Sequence, residues 1–362
     1  MDEIIFTGPI NSLSFGNVSY NFLRSFYESD TKVHFFPVGK DLDFSAFDKV
    51  DSEFKSWIDA CYQNRYKGLN RDIPHLRMWH INGSEMAMTP RSFLYTFYEL
   101  SEPTEKEITI CNLQSATIFS SQYSLDKFKK SCDRSHYIPI GFDKDFHQTD
   151  KEYLKNKIHF GLMGKFEKRK HTARILKYWA EKFGNNPEYQ LSCCINNTFL
   201  EEEDNYKLIL DALSGERYSN INILPRLSNN SEVNEFMNSI DIDLSGLSGA
   251  EGWNLPAFNS TCLGKWSVVL NSTSHKDWAT SNNSILVEPD FEEECYDGVF
   301  FQKGGSYNQG SIYGFNQSTF NKSIDLALNK LPSINTEGQK LKDQFTYSQT
   351  TKQIMEVIKN EY

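Results

Sequence analysis

The sequence predicts an α/β protein built as two Rossmann-like, doubly wound lobes facing each other across a cleft. Three observations predict it. Apolar runs of strand length alternate with amphipathic runs of helix length along the whole chain, the pattern of helices layered on parallel sheets. The 362 residues exceed one typical core and divide naturally into two of about 150–190 residues. A polar stretch near 144–156 separates two complete strand–helix series.

The elements follow in order. EIIFTG (3–8) reads as a strand ending at Gly-Pro, and GNVSYNFLRSFYES (16–29) as a helix with Val18, Phe22, Leu23 and Phe26 on one face. KVHFFPV is a second strand, FSAFDKVDSEFKSWIDACYQ a helix, and PHLRMWHI (74–81) a strand. SFLYTFYE (92–99), SATIFSS and HYIPIGF continue the strands, with helices at 103–112 and 121–131 between them. The second series opens with strand KIHFGLMG (157–164) and a helix from Arg169 to Phe183. It continues through YQLSCCI, a helix around 201–213, NINILP and a helix over 230–239. DIDLSGL, a helix after Trp253 and strand KWSVVL close it. Residues 337–360 read as terminal helices. The expected organisation is a first lobe at 1–150, a second at 151–335, and helices in 336–362 packing back toward the first lobe.

Composition narrows the function classes. Hydrophobic residues at 39% and charged residues at 24% describe a chain that buries cores and is not disordered. A net charge of −10 argues against a partner held mainly through phosphate neutralisation. The seven cysteines are odd in number and show no C-x-x-C spacing, which predicts reduced, buried thiols and a cytoplasmic location. The acidic, strand-like start reads as no signal peptide, and no apolar run approaches the ~20 residues that span a bilayer.

Two strand-to-helix junctions in the second series carry the functional signal. KIHFGLMG runs into KFEKRKHTARILKYW, so Lys165, Arg169 and Lys170 are delivered where a strand ends and a helix begins. Helix N-termini favour anions through their dipole and free N–H groups, and added cations point to phosphate. SIDIDLSGLS then leads into SGAEGWNLPAFNSTCLG, with Glu251 between glycines just ahead of a helix. Gly249 and Gly252, and the N–H groups of Trp253, Asn254 and Leu255, can approach an anion closely. A carboxylate beside an anion site is costly unless it accepts hydrogen bonds. The pair of sites therefore fits a nucleotide diphosphate attached to something hydroxylated.

GKFEKRK followed by SGAEGWNLP resembles the donor lobe of GT-B glycosyltransferases, specifically the retaining family 4. The resemblance implies Lys165 and Lys170, with Arg169 and the Gly164 turn, as diphosphate ligands, and Glu251 as the acid contacting the transferred sugar. It implies that Gly252, Trp253, Asn254 and Leu255 lend backbone N–H groups to the phosphates. In the first lobe GPINSLSFGNVSYNFLR is similar to the family's first strand, loop and helix, with Gly16 facing the donor. YTFYELSEPTEKEI, FSSQYSLDKF and IPIGFDKDF look like further motifs of one subgroup, in the same order. The second acid of the family's E-x7-E element falls on Asn259, which hydrogen-bonds a ribose hydroxyl without charge assistance and leaves room for an altered or lost donor.

The implied activity is retaining transfer of a sugar from a UDP- or GDP-linked donor to a hydroxyl acceptor, with no cofactor beyond that cosubstrate. No carboxylate pair of the glycosidase kind is evident. The implied catalysis is electrostatic stabilisation of the departing diphosphate by Lys165, Arg169 and Lys170, with no metal required. Asp241 and Asp243 have D-x-D spacing but lie inside a strand. From the first lobe, Glu99 reads either as a cleft carboxylate or as a capping acid ahead of Pro103, and His80 either reaches the phosphate or acceptor or serves as a structural hydrogen-bonder. Ser120 and Ser121 are expected to line the cleft, and Asp143 to sit at the hinge. The acceptor is read as a glycan, a lipid-linked sugar or a protein. YQNRYKGLNRDIPHLRMWH (62–80) interleaves Arg65, Lys67, Arg71 and Arg77 with aromatics, so hydroxymethylated DNA is the alternative acceptor. A GT-B-shaped binding protein without transfer is the other alternative.

Overall fold

The computed structural model describes residues 2–39 and 41–361. The first lobe holds β1 (Glu3–Gly8), α1 (Ser14–Glu28), β2 (Lys32–Pro37), α2 (Ser52–Gln63), β3 (His75–Met78), β4 (Ser92–Thr96), α3 (Glu105–Leu113), β5 (Ala116–Phe119), α4 (Gln122–Phe128) and β6 (Ser135–Tyr137). All six strands run parallel in the order β2-β1-β3-β4-β5-β6. The near-continuous burial of β1 and β4 is what a parallel sheet covered on both faces demands. Phe6 on β1 packs on Phe22 and Phe26 of α1 and on Phe35 of β2, which fixes the helix on the sheet.

The second lobe repeats the plan with β7 (Ile158–Met163), α5 (Thr172–Phe183), β8 (Tyr189–Cys194), α6 (Glu202–Ala212), β9 (Ile221–Ile223), α7 (Asn230–Ser239), β10 (Ile242–Asp243), α8 (Leu255–Cys262), β11 (Trp266–Leu270) and β12 (Ile285–Val287). Its parallel order is β12-β11-β10-β7-β8-β9. An antiparallel pair, β13 (Phe291–Glu294) and β14 (Ser311–Gly314), follows and was not foreseen from the sequence. The chain closes with α9 (Gln317–Leu328), α10 (Thr336–Gln339), α11 (Leu341–Gln344) and α12 (Tyr347–Asn360).

Boundaries differ from the sequence reading: the helix expected over 44–63 starts at Ser52, the strand expected over 136–142 is confined to Ser135–Tyr137, and two more differences fall in the second lobe. The helix expected from Arg169 starts at Thr172, because a turn closes at Glu167–Lys170 and His171 adopts a left-handed backbone (φ 54°) that redirects the chain. The strand expected over 241–247 ends at Asp243, where the chain drops into a tight turn at Ser245–Leu247. The first change places Arg169 and Lys170 in a loop rather than on the helix.

In each sheet the strand order reverses once, between β1 and β3 and between β10 and β7. A reversal opens a crevice at the strand carboxyl ends, the place where such sheets hold ligands. The lobes meet over apolar contact as well as through the 144–156 linker. Ala250 and Phe301 of the second lobe share a buried cluster with Ile81, Leu94 and Tyr98 of the first, and Trp253 and Phe258 pack on Phe345 of the closing segment. α12 crosses back to α1, where Ser25 and Thr351 hydroxyls hydrogen-bond at 2.5 Å, and Tyr347, Ile354 and Ile358 complete the first lobe's core.

Candidate functional site

The reversal between β7 and β10 brings a basic loop, 164–171, against an acidic one, 248–254. Gly164, with φ 141°, turns the chain directly after β7, and a Cβ there would reach within 3.0 Å of the Lys170 stem. The loops are stitched together by the Gly249 N–H, which donates to Arg169 O at 2.8 Å, and by Ser248 Oγ. Lys170 Nζ then lies 2.6 Å from Glu251 Oε1, and Arg169 Nη1 lies 2.9 Å from Glu251 Oε2. The spacing that put Glu251 eighty residues beyond the basic run is closed by the topology of the sheet.

Arg169 is the buried hub. Its guanidinium reaches Glu251, Glu167 at 3.2 Å and Glu99 at 3.7 Å, and donates to the Ala250 carbonyl. Burial of this cation is offset by three carboxylates, which hold its proton more firmly than usual. Arg169 stands behind the site and braces Glu251, while Lys165 and Lys170 are the cations less enclosed by protein. Lys165 pairs with Glu167 at 2.8 Å, and its ammonium rests against the adjoining rings of Phe199 and Phe300, 4.9 and 5.0 Å from their centroids. Burial opposes ionisation of Glu167, but Arg169 and Lys165 outweigh it and lower its carboxyl. Glu167, Phe199 and Phe300 were not singled out in the sequence; the acid amid the cations of KFEKRK was the available signal.

The acidic loop is rigidly held. Asn254 takes a left-handed backbone (φ 72°) ahead of α8, and its amide donates to Ser245 O and to His275 Nε2, each at 2.9 Å. His275 in turn donates from Nδ1 to Leu270 O at 2.8 Å, and burial lowers its imidazole to about 4, so it stays neutral. The Glu251 N–H donates to Thr273 Oγ1. The next four amides, of Gly252, Trp253, Asn254 and Leu255, have no hydrogen-bond acceptor among the described residues, leaving four successive donors at a helix start. Trp253 itself is buried, with its carbonyl accepting from Trp278 Nε1. Asn259, on α8, is buried and its Oδ1 has no partner among the described residues.

The first lobe closes the other wall. A Cβ on Gly252 would come within 2.6 Å of Phe97 Cβ, so only glycine lets the lobes meet here, and Ser120 Oγ donates to Gly252 O at 2.8 Å. Ser121 caps α4 instead. Glu99 follows β4 and points to Arg169; burial raises its carboxyl, with Arg169 opposing. It does not cap α3, which uses Thr104 and Glu107. His80 follows β3 at the first sheet's reversal, its ring 4.2 Å from Phe15. It is open to solvent within crowded walls, and that crowding with the charge of Lys165 lowers it to about 4. Gly16, in the first turn of α1, is packed directly on Asn11. Asp143 accepts from Asn21 at 3.0 Å beside Arg24, a hinge contact.

Other sequence candidates are not brought together. Asp241 accepts from His159 N and Asp243 from Ser245 N, so the two serve separate backbone groups. Arg65 lies over the rings of Tyr62 and Tyr66, and Arg77 donates to the Gly83 and Met86 carbonyls at 3.0 Å, so both are committed to the protein itself. No helix among the described residues is long and apolar enough to cross a membrane.

No protein-family model and no curated protein matches the sequence. Solved structures do resemble the fold. HepE from Anabaena, in complex with UDP and glucose, superposes with a TM-score of 0.67 at 14% identity, covering 99% of this chain and 100% of that one. Sucrose-phosphate synthase from Thermosynechococcus elongatus gives 0.68 at 10% identity over 99% of both chains. A glycosyltransferase from Rickettsia africae gives 0.65 at 10% identity, over 99% of this chain and 98% of that one. Matched along nearly their full lengths by two six-stranded parallel sheets, these structures place the chain in the GT-B fold.

Proposed function

We propose that the protein is a retaining glycosyltransferase that moves a sugar from a nucleotide diphosphate to a hydroxyl acceptor. The observation that carries this reading is the Lys170–Glu251 pair at the reversal of the second sheet, beside four amides without protein acceptors. A diphosphate in that crevice would meet those N–H donors and the ammonium groups of Lys170 and Lys165. Glu251, held ionised by Arg169 and Lys170, is an acceptor for sugar hydroxyls. As the glycosidic bond breaks, negative charge grows on the leaving phosphate, and fixed donors stabilise it more there than in the ground state. The leaving oxygen takes the acceptor proton on the same face, which retains configuration without a protein nucleophile. The cations supply the neutralisation, so the reading needs no metal. Arg169 acts by aiming Glu251.

UDP is the donor nucleotide to try first, because HepE is similar in fold and its structures contain UDP or UDP-glucose. The acceptor is read as a glycan, lipid-linked sugar or protein; the commitment of Arg65 and Arg77 to protein partners counts against a DNA acceptor. The seven free cysteines support a cytoplasmic location. One observation favours a second reading, a binding protein without transfer: neutral Asn259 where the family places an acid. Mass spectrometry of products from a panel of nucleotide sugars, with and without acceptors, tests both. Neither transfer nor donor hydrolysis from any nucleotide sugar, alongside measurable nucleotide binding, selects the second.

A further inference from the structure

The loop at 295–310, between β13 and β14, leaves the second lobe and fastens to the first. Its consecutive Phe300 and Phe301 both pack on one apolar cluster, and Phe300 meets Lys165 as well. Phe301 is buried in a cluster with Ile81, Leu94, Tyr98 and Leu100 of the first lobe, while the Phe300 ring covers Lys165 Nζ. Asp297 sets this presentation, its Oδ1 accepting from the N–H groups of Val299, Phe300 and Phe301 at 2.9, 2.9 and 3.0 Å.

The far end of the loop is gripped by the cap of α3. Thr104 and Glu107 form a capping box, each satisfying the other's backbone N–H. Both have capacity to spare, and both spend it on the loop. Thr104 Oγ1 donates to Ser306 O at 2.8 Å, and the second Glu107 oxygen accepts from Asn308 N at 2.9 Å. The Glu102 N–H bonds Gln309 O, and a Cβ on Gly310 would strike Ser101 Oγ at 2.3 Å. Helix capping alone requires none of these four contacts.

We propose that Thr104 and Glu107 are positioning residues for Lys165, acting through the 295–310 loop and Phe300, so that the first lobe sets the geometry of the basic loop. This rests on the proposed role of that loop in binding a nucleotide diphosphate. Thr104→Asp preserves the cap but removes the hydroxyl donor to Ser306 O and sets a charge against that carbonyl. Gly310→Val expels the loop sterically. Thr104→Ser keeps both functions and is the control.

Two measurements on the full chain decide it. UDP affinity by calorimetry should fall about fivefold in Thr104→Asp and Gly310→Val, the scale of one cation–π contact, and be restored in Thr104→Ser. Amide exchange over 164–171 should quicken in the same two variants, while α3 keeps its protection. Unchanged exchange in 164–171 for whichever variant retains a cooperative melt overturns the proposal, regardless of UDP. Absence of UDP binding in the parent protein counts instead against the nucleotide reading, and the exchange data still decide the coupling.

Discussion

Lys170 and Glu251, eighty-one positions apart, form a 2.6 Å ion pair that joins the basic and acidic loops into one charged unit. Burial alone would push the Glu251 carboxyl up; Arg169 and Lys170 outweigh it and hold it well below the ordinary 4.5. On the proposed reading, a diphosphate entering this crevice would compete with Glu251 for Lys170 and so free the carboxylate to accept hydrogen bonds from a sugar. Lys170→Ala and Glu251→Gln should each cut transfer by at least about 100-fold, as loss of one fixed charge-stabilising group does. Rates within a few-fold of the parent in both would remove this pair from the mechanism.

Stability should separate the two substitutions of the acid. Glu251→Ala strands Arg169 beside an empty volume, and breaking a buried pair costs about 3–5 kcal/mol. Glu251→Gln fills the space and still accepts from Arg169, so its denaturant midpoint should lie clearly above that of Glu251→Ala. Equal midpoints would mean Arg169 is satisfied by Glu167 and Glu99 alone.

Asn259→Ala tests the ribose assignment. Its Oδ1 is buried without a partner among the described residues, so deleting the amide removes a desolvation cost and should leave the melting temperature unchanged or higher. UDP affinity should nonetheless drop about three- to tenfold, the worth of one neutral hydrogen bond. Lower stability with undiminished affinity would give Asn259 a purely structural role.

Gly252→Ala should impair nucleotide-dependent turnover by wedging the lobes apart at Phe97. Trimming the opposing side chain should restore part of it, so the double variant Gly252→Ala/Phe97→Ala is expected to exceed Gly252→Ala alone. Strict additivity in this cycle would place the effect within the acidic loop and not between the lobes.

The lobes also share a pH-sensitive contact, where Asp277 Oδ2 accepts from the first amide of α4, Gln122 N, at 2.9 Å. Burial raises Asp277 from 3.8 to about 6. A carboxyl with a raised folded-state pKa favours folding fully below pH 3.8, and that contribution is lost as pH rises through 6. Asp277→Asn should therefore stabilise the protein by about 1–2 kcal/mol at pH 7.5, with the gain vanishing toward pH 4. A gain independent of pH would show that charge is not its source.

The layering into two halves and the meeting of GKFEKRK with SGAEGWNLP were legible because hydrophobic period and strand-end chemistry are local signals. What could not be read were features made by tertiary contact. Arg169 looks like its neighbours in the chain, yet three carboxylates from three separate segments enclose it. His171 and Asn254 adopt left-handed backbones at the two helix starts, and neither residue type announces that as glycine would. The β13–β14 pair lies in FEEECYDGVFFQKGGSYNQGSIYG, where alternation is too short and too acidic to declare a strand. Its partners, Ser101 to Glu107, lie some two hundred residues earlier.

The return of α12 to the first lobe bears on how the polypeptide emerges during synthesis. Tyr347, Ile354 and Ile358 are translated long after α1, the helix they pack beneath. The interior domain, 157–328, has its strands and covering helices available earlier and can consolidate while the leading segment still waits for its closing helix. Nascent chains halted before residue 347 should thus carry a protease-resistant central portion behind a susceptible leading one, reversing the usual vectorial order.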